Sequence, residues 1–293
     1  MKKLLFIINP MAGRQQAQTD LYKMVKILAD HDYEVTVYPT RARLDCTQKV
    51  LEDAGRFDLV VCCGGDGTLN EMVSGMMQRQ DRRPMGYIPL GSTNDLAVSL
   101  RLPTRVEEAA LRAVTGNEFH MDVGTLNDRY FNYIAAFGAF TETSYATPQE
   151  IKNALGHLAY ILEGVKSLGK ILPIHVKITA DDEQFEEDYL FGAVTNTISL
   201  GGVLKLDPEK VLLDDGMYEL LLVKNPTNAL EAQAMLTAIM TQNFDGPLVK
   251  MFHASDITFE SSHEISWTID GEYGGTFSHT HILNNKNAVT LIV

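Results

Sequence analysis

Three short segments of this chain hold residue types and spacings suited to phosphate chemistry. Residues 62–71 read CCGGDGTLNE, in which Gly64, Gly65 and Gly67 form a turn between the apolar run LVVCC and a helix expected to begin at Leu69. Glycine lets backbone N–H groups approach an anion closely, and a helix N-terminus adds unpaired donors carrying partial positive charge. Asp66, in the middle of that cradle, repels phosphate unless a cation lies between them. NPMAGR, at 9–14, lacks the G-x-x-x-x-G-K-[ST] spacing of a Walker A loop, so Asn9, Gly13 and Arg14 line the mouth in another way. In PLGSTND, at 89–95, Ser92 and Thr93 offer hydroxyls, while Asn94 and Asp95 suit the cap of a following helix. Each segment alone is also what an ordinary turn looks like. Three of them at one sheet edge carry the phosphate reading.

The elements that must hold them follow from hydropathy. KLLFIIN, EVTVYP, LVVCC and MGYIPL read as strands, with helices expected at Asp20–Asp30, Asp45–Ala54 and Leu69–Met77. This alternation predicts a doubly wound α/β domain with a parallel sheet, whose ligands bind at the carboxyl ends of the strands. From about Tyr130 the pattern changes to FNYIAAF, IHVKITA, DYLFGAV, MYELLLV, DITFE, ISWTID and AVTLIV, the signature of an antiparallel β-sandwich or barrel. A helix opens at TPQE, where Thr147, Pro148 and Glu150 form a capping box, and another covers Asn228–Met240. The LNDR turn places the boundary near Asn127, giving domains at 1–126 and 127–293.

Composition narrows the partners. The 293 residues include 25 basic and 38 acidic side chains, a formal charge of −13 that repels nucleic acid. The apolar run of MKKLLFIINP is too short for a signal-peptide core and reads as a buried strand; no run approaches the ~20 apolar residues of a membrane span. Three cysteines without a C-x-x-C pair fit a reducing compartment, so the expected location is cytoplasmic. His279 and His281 share a strand face and are assigned no metal, and DDEQFEED at 181–188 reads as a solvated acidic hairpin.

GGDGTLNE, with N-P-x-x-G upstream and P-L-G-S-T-N-D downstream, resembles the diacylglycerol kinase catalytic family and its bacterial lipid kinases, relatives of sphingosine kinases and, more distantly, NAD kinases. LLDDGMYEL and TIDGEYGG resemble two further signatures of the family, so the likeness spans almost the whole chain. The resemblance implies an ATP-binding α/β domain plus a β-sandwich domain carrying lipid-substrate and structural-metal sites. It implies nucleotide contacts at Asn9, Pro10, Met11, Ala12, Gly13, Thr40, Gly65, Asp66, Gly67, Thr68, Leu69, Asn70, Glu71 and Ser92. It implies that Asp66, Asp95 and Asp122 hold catalytic Mg2+ through waters, and that Leu212, Asp215 and Met217 hold a structural metal, the outer two through carbonyls. Glu272 matches the catalytic carboxylate.

The implied reaction is ATP-dependent transfer to the hydroxyl of diacylglycerol or a similar lipid, giving phosphatidic acid, with Glu272 as general base and Asp66 organising Mg2+. Phosphoryl transfer rests on positioning and charge neutralisation, and magnesium takes only one or two protein carboxylates, so a sparse set of acids suffices. A lipid substrate implies peripheral contact with the inner face of the membrane; SLGKILP at 167–173, with Leu168, Ile171 and Leu172 beside Lys166 and Lys170, is the candidate segment. Two other readings stand beside this one: an NAD kinase-like enzyme for a soluble hydroxyl compound, and a catalytically silent nucleotide-binding regulator. The chain departs from the family at Arg14, where lysine is commoner, and at Ser92, where threonine is. It also ends on a strand without the terminal helix of some relatives, which leaves a homodimer possible but its contact open.

Overall fold

A computed structural model describes residues 1–138, 172–200, 204–207 and 211–293. The chain divides into two compact units, Met1–Val123 with Asn285–Val293, and Gly124–Asn284. The expected helix at 147–165 and all of the candidate membrane segment 167–173 except Leu172 and Pro173 lie outside the described residues; Leu172 is exposed.

In the first unit, β1 (Lys2–Ile8), α1 (Gln16–Thr19), α2 (Leu21–Asp30), β2 (Tyr33–Pro39), α3 (Asp45–Asp53), β3 (Leu59–Gly64), α4 (Asp66–Met77), β4 (Met85–Pro89), α5 (Asp95–Ser99) and α6 (Val106–Thr115) follow in order. The strands pair in the order β2-β1-β3-β4, all parallel. Every residue of β3 is buried, as expected of a strand covered on both faces. Leu4, Phe6, Val61 and Ile88 pack with Met24 and Leu28 of α2 and Ala110 and Ala113 of α6. Leu5, Ile7, Val60 and Cys62 alternate to the opposite face and are equally buried.

The chain runs from β1 outward to β2 and then back to β3 on the other side of β1. This reversal is the position where sheets of this class open a crevice for ligands. Two expectations change. Helix α4 begins at Asp66 rather than Leu69, so Gly67 lies inside its first turn, and α6, which was not expected, covers one face.

The sheet closes with the end of the chain. β5 (Glu118–Leu126) leads out of the first unit, and the tail of β15 (Glu272–Ile292) returns, where Leu291 pairs in parallel with Met85. Asn117 and Val293 exchange N–H···O bonds of 2.9 Å in each direction. The final residues, placed with the second domain from sequence, therefore belong to the first unit.

The second unit adds β6 (Arg129–Phe131), β7 (Ile134–Gly138), β8 (Ile174–Ala180), β9 (Glu183–Thr195), a short ribbon of β10 (Ser199–Leu200) and β11 (Leu204–Lys205), β12 (Tyr218–Lys224), α7 (Ala229–Thr241), β13 (Val249–Ala254), β14 (Asp256–Ile269) and the first part of β15. Its main order is β13-β12-β9-β7-β14-β15, antiparallel throughout, with β8 bridging β14 and β9. Phe137, Phe259 and Trp267 meet edge to face with centroids 4.9–5.6 Å apart at the centre of the core. The acidic run 181–188 is a turn only at Asp181 and Asp182; from Glu183 it is part of β9. Asn228 caps α7 by accepting from the Glu231 N–H at 3.0 Å.

Candidate active site

NPMAGR, CGGDGT and LGSTND leave the carboxyl ends of β1, β3 and β4, and the first two flank the reversal point. Asn9 N–H donates to the Cys63 carbonyl at 2.9 Å, its side-chain amide donates to Thr68 Oγ1 at 3.4 Å, and its Oδ1 accepts from Met11 N–H at 3.0 Å. One asparagine thus ties the turn after β1 to the first turn of α4. Pro10, Met11, Ala12 and Gly13 complete that turn, with Gly13 at φ +61°, a left-handed conformation in which a side chain is strained. The Arg14 side chain is not among those described.

The loops after β3 and β4 touch backbone to backbone. A Cβ added at Gly91 would lie 2.7 Å from the Gly65 Cα and 2.5 Å from Asn94 Oδ1, so this approach requires glycine. Asn94, at φ 52°, turns its side chain back: Oδ1 accepts from Gly91 N–H at 2.8 Å and from the Tyr87 hydroxyl at 3.3 Å, and Nδ2 donates to the Gly91 carbonyl at 3.1 Å. It stands at the N-cap of α5 without capping it, contrary to the sequence expectation.

This brace aims at Asp66. Asn94 N–H donates to Asp66 Oδ2 at 2.9 Å, and the Thr93 hydroxyl donates to the same oxygen at 3.3 Å. The other oxygen, Oδ1, is buried with no hydrogen-bond partner. Burial pushes the Asp66 carboxyl up to about 6, and the neighbouring charge of Asp95, itself 2% exposed, adds to the rise. Two acids and an orphan carboxylate oxygen beside a helix N-terminus form a site with capacity for a cation.

The remaining first-unit residues divide between this edge and its supports. Thr40 N–H donates to the Ile8 carbonyl at 2.9 Å, which brings it beside the turn after β1. Ser92 is exposed on the loop. Leu69 is buried in the core, and Asn70 Oδ1 accepts from Ser74 Oγ at 3.4 Å. Glu71 faces away from the glycines: its carboxylate accepts from Leu44 N–H at 2.8 Å and Cys46 N–H at 3.2 Å, binding the start of α3. Asp122, fully buried, accepts from Asn287 N–H at 2.7 Å and so holds the returning strand.

In the second unit, Ile269 pairs with Glu272 across Asp270 and Gly271, at φ 47° and 81°. Two left-handed central residues make a type I′ hairpin, the conformation that Asp-Gly favours. Asp270 fixes this hairpin by accepting from the N–H groups of Asn132, Tyr133 and Ile134 at 2.7–3.2 Å, and Glu272 stands exposed just beyond it.

Leu212, Asp215 and Met217 lie on the turn before β12. Asp215 Oδ1 accepts from Met217 N–H at 2.8 Å, and the Met217 carbonyl accepts from Asn284 Nδ2 at 3.2 Å. Two positions on is Glu219, which sequence reasoning missed. It is 1% exposed, its Oε2 has no partner, and burial, with Asp215 adding, pushes its carboxyl up to about 8. Its only sequence signal is an acid within an otherwise apolar strand. Among the described residues no three His, Cys, Asp or Glu side chains gather as a metal cluster.

Comparison with known proteins accounts for both halves of this arrangement. Residues 3–126 match the diacylglycerol kinase catalytic domain, and residues 140–292 match the YegS C-terminal NAD kinase beta sandwich-like domain. A diacylglycerol kinase of Bacillus subtilis is 32% identical over 98% of this chain and 97% of its own, and one of Staphylococcus saprophyticus is 32% identical over 94% and 90%. A crystal structure of a putative diacylglycerol kinase from Bacillus anthracis aligns with a TM-score of 0.83 at 28% identity, covering 99% of this chain and 97% of that one. The two family models together cover most of the chain, these relatives align along nearly its whole length, and the chain belongs to the diacylglycerol kinase family of lipid kinases.

Proposed function

We propose that this lipid kinase transfers the γ-phosphoryl group of ATP to the free hydroxyl of a diacylglycerol, giving a phosphatidic acid. The observation that carries the proposal is the buried, unpartnered Oδ1 of Asp66 at the start of α4, beside Gly65 and Asp95. An ionised carboxylate in that position gains stability from a cation beside it, and a phosphate tail supplies the remaining ligands for one.

In this reading the backbone of Gly65, Asp66 and Gly67 and the polar edge formed by Asn9, Thr68 and Ser92 receive the nucleotide phosphates. Pro10, Met11, Ala12, Gly13 and Thr40 shape the neighbouring wall, and Glu71 acts one step back by fixing the loop that follows Thr40. Asp66 and Asp95 would hold magnesium through water, with Asp122 supporting the edge behind them. Bound there, magnesium supplies neutralisation of the charge that develops on the transferred group. Glu272 accepts the proton of the lipid hydroxyl; that oxygen forms a bond to the γ-phosphorus, and the bond from phosphorus to the ADP oxygen breaks. Its exposure at a rigid hairpin suits a base that must reach a substrate from outside.

Asp215 and the Leu212 and Met217 carbonyls would hold a second, structural cation. The orphan oxygen of buried Glu219 fits a positive charge there, and the Met217 carbonyl retains a second lone pair beside its bond from Asn284. Substrate access brings the protein to the cytoplasmic face of a membrane. Among the described residues no helix is long and apolar enough to cross one.

The test is incubation with labelled ATP, magnesium and a panel of dioctanoylglycerol, sphingosine and NAD. Dioctanoylglycerol is the expected acceptor, and Glu272→Gln should lower kcat by about 10²–10⁴-fold with ATP binding retained. Phosphorylation of NAD but of no lipid would overturn the proposal, and full activity of Glu272→Gln would remove the base.

A further inference from the structure

The second unit buries two asparagines whose amides have no partner. Asn132 is 1% exposed and Asn196 is fully buried, yet both the Oδ1 and Nδ2 atoms of each are unpartnered. Leaving a buried amide unpaired costs the full desolvation of its polar atoms, and buried polar groups in folded proteins nearly always meet protein, water or ligand. Four such atoms in one small region mark a place built for something else.

The region is defined by the strands. Asn132 lies in the gap between β6 and β7, and Asn196 immediately follows β9. Ile134 pairs with Thr195, and both the Asn196 N–H at 2.9 Å and the Thr195 hydroxyl at 2.8 Å donate to the Tyr133 carbonyl. Ala135 pairs with Ile269, so the same strand ends lead to the hairpin bearing Glu272. Asp270 of that hairpin binds the Asn132 and Tyr133 N–H groups and thereby fixes the Asn132 backbone.

The chemistry of the pair limits the ligand. Two primary amides offer donors and acceptors in equal measure and carry no charge. Neither amide supplies a cation for a phosphate or carboxylate; of the acids on the adjoining strands, Asp270 is already occupied by three backbone donors, and Glu219, paired across from Thr195, is the acid assigned above to the cation site beside Asp215. A neutral group with both a hydroxyl donor and carbonyl acceptors matches the inventory. From this geometry we infer that Asn132 and Asn196 bind the uncharged glycerol-ester headgroup of the lipid substrate, beside the hairpin that presents Glu272. The inference rests on the diacylglycerol reading and adds to it the residues that recognise the headgroup. A neutral site also favours release, because the phosphorylated product brings a charge that the amides do not neutralise.

The experiment begins with the wild-type chain and dioctanoylglycerol. If that lipid is not phosphorylated, the diacylglycerol reading and this inference fall together. If it is, 15N-asparagine-labelled protein is titrated with dioctanoylglycerol in the absence of ATP, the two side-chain NH2 signals being assigned by their loss in Asn132→Leu and Asn196→Leu. Both pairs are expected to shift with the lipid and to stay in place on addition of ATP alone. The leucine variants should keep the fold and the KM for ATP while raising the KM for dioctanoylglycerol about 10-fold each, the discrimination expected when a hydrogen-bonding group loses its partner. Unmoved amide signals at a saturating, turned-over lipid would overturn the asparagine assignment alone and leave water as their partner. That measurement uses wild-type protein, with signals assigned by backbone connectivity if a variant does not fold.

Discussion

Asp66 is held where ionisation is costly, and the sign of that cost predicts its behaviour. Its carboxyl in the folded protein rises to about 6 through burial and the neighbouring Asp95, above the ordinary 3.8. Between those values the folded, metal-free protein binds the proton more tightly than the unfolded chain, so stability is fullest below about pH 4 and is lost as pH rises through 6. Metal-free Asp66→Asn should therefore melt above the parent at pH 7.5, with the gap closing toward pH 4. Magnesium should narrow the gap at pH 7.5 by stabilising the parent alone. Phosphoryl transfer by the variant should fall by at least about 10²-fold. Calorimetry at the two pH values checks the first part, and a parent that melts above the variant at pH 7.5 would contradict it. Asp66 and Asp95 were legible because they sit in motifs. Asn94 was legible only as a cap, because its real work depends on a left-handed backbone that turns the side chain back onto Gly91. Glu219 was not legible, because its burial comes from the pairing of β12 with β9 and β13, across Thr195 and His253.

The elements around the site are set by close approach as much as by hydropathy. Gly91→Ala places a methyl 2.7 Å from the Gly65 Cα, against backbone that cannot move without displacing α4. The substitution should cost about 1–3 kcal/mol, the range for overpacking, and weaken ATP binding together with stability. Ser92→Ala, on the exposed neighbour, should change stability by less than about 0.5 kcal/mol, which makes it the control in the same urea titration. Equal midpoints for the two variants would show that the loops separate freely. Glu71→Ala removes the carboxylate that holds the Leu44 and Cys46 N–H groups, a loss of about 1 kcal/mol on the scale of helix caps. Strands β1, β3 and β4 were plain in the sequence because each is an apolar run buried on both faces. The start of α4 was misplaced because glycine and aspartate read as turn, although first-turn N–H groups need no helical partner and Asp66 there complements the helix dipole. Helix α6 escaped notice because its buried face is made mostly of alanine, Ala109, Ala110 and Ala113, which carries a weak periodic signal.

At the scale of the molecule, the first unit is not a stretch of sequence but a stretch plus a returning strand. Leu291 joins β4, Val293 exchanges bonds with Asn117, Arg82 Nη1 donates to the Ala288 carbonyl at 2.7 Å, and Asp122 accepts from Asn287. No local pattern in AVTLIV states which sheet it will join, since an apolar strand carries its own period but not the address of its partner. The change of texture near residue 127 was legible; this long-range return was not. It makes a prediction about folding. Residues 1–126 alone leave β4 with an open edge and Asp122 without its Asn287 donor, an exposed edge of the kind that invites aggregation. Residues 1–123 joined through a short Gly-Ser linker to 285–293 restore both, and the join is short because Asn285 Nδ2 already lies 2.9 Å from the Val123 carbonyl. The joined protein should be monomeric and unfold cooperatively, with bound ATP raising its Tm. The 1–126 fragment should aggregate or melt well below it. Equal melting temperatures would mean that the returning strand adds nothing to the nucleotide-binding unit, and that its place beside β4 is decided elsewhere in the chain.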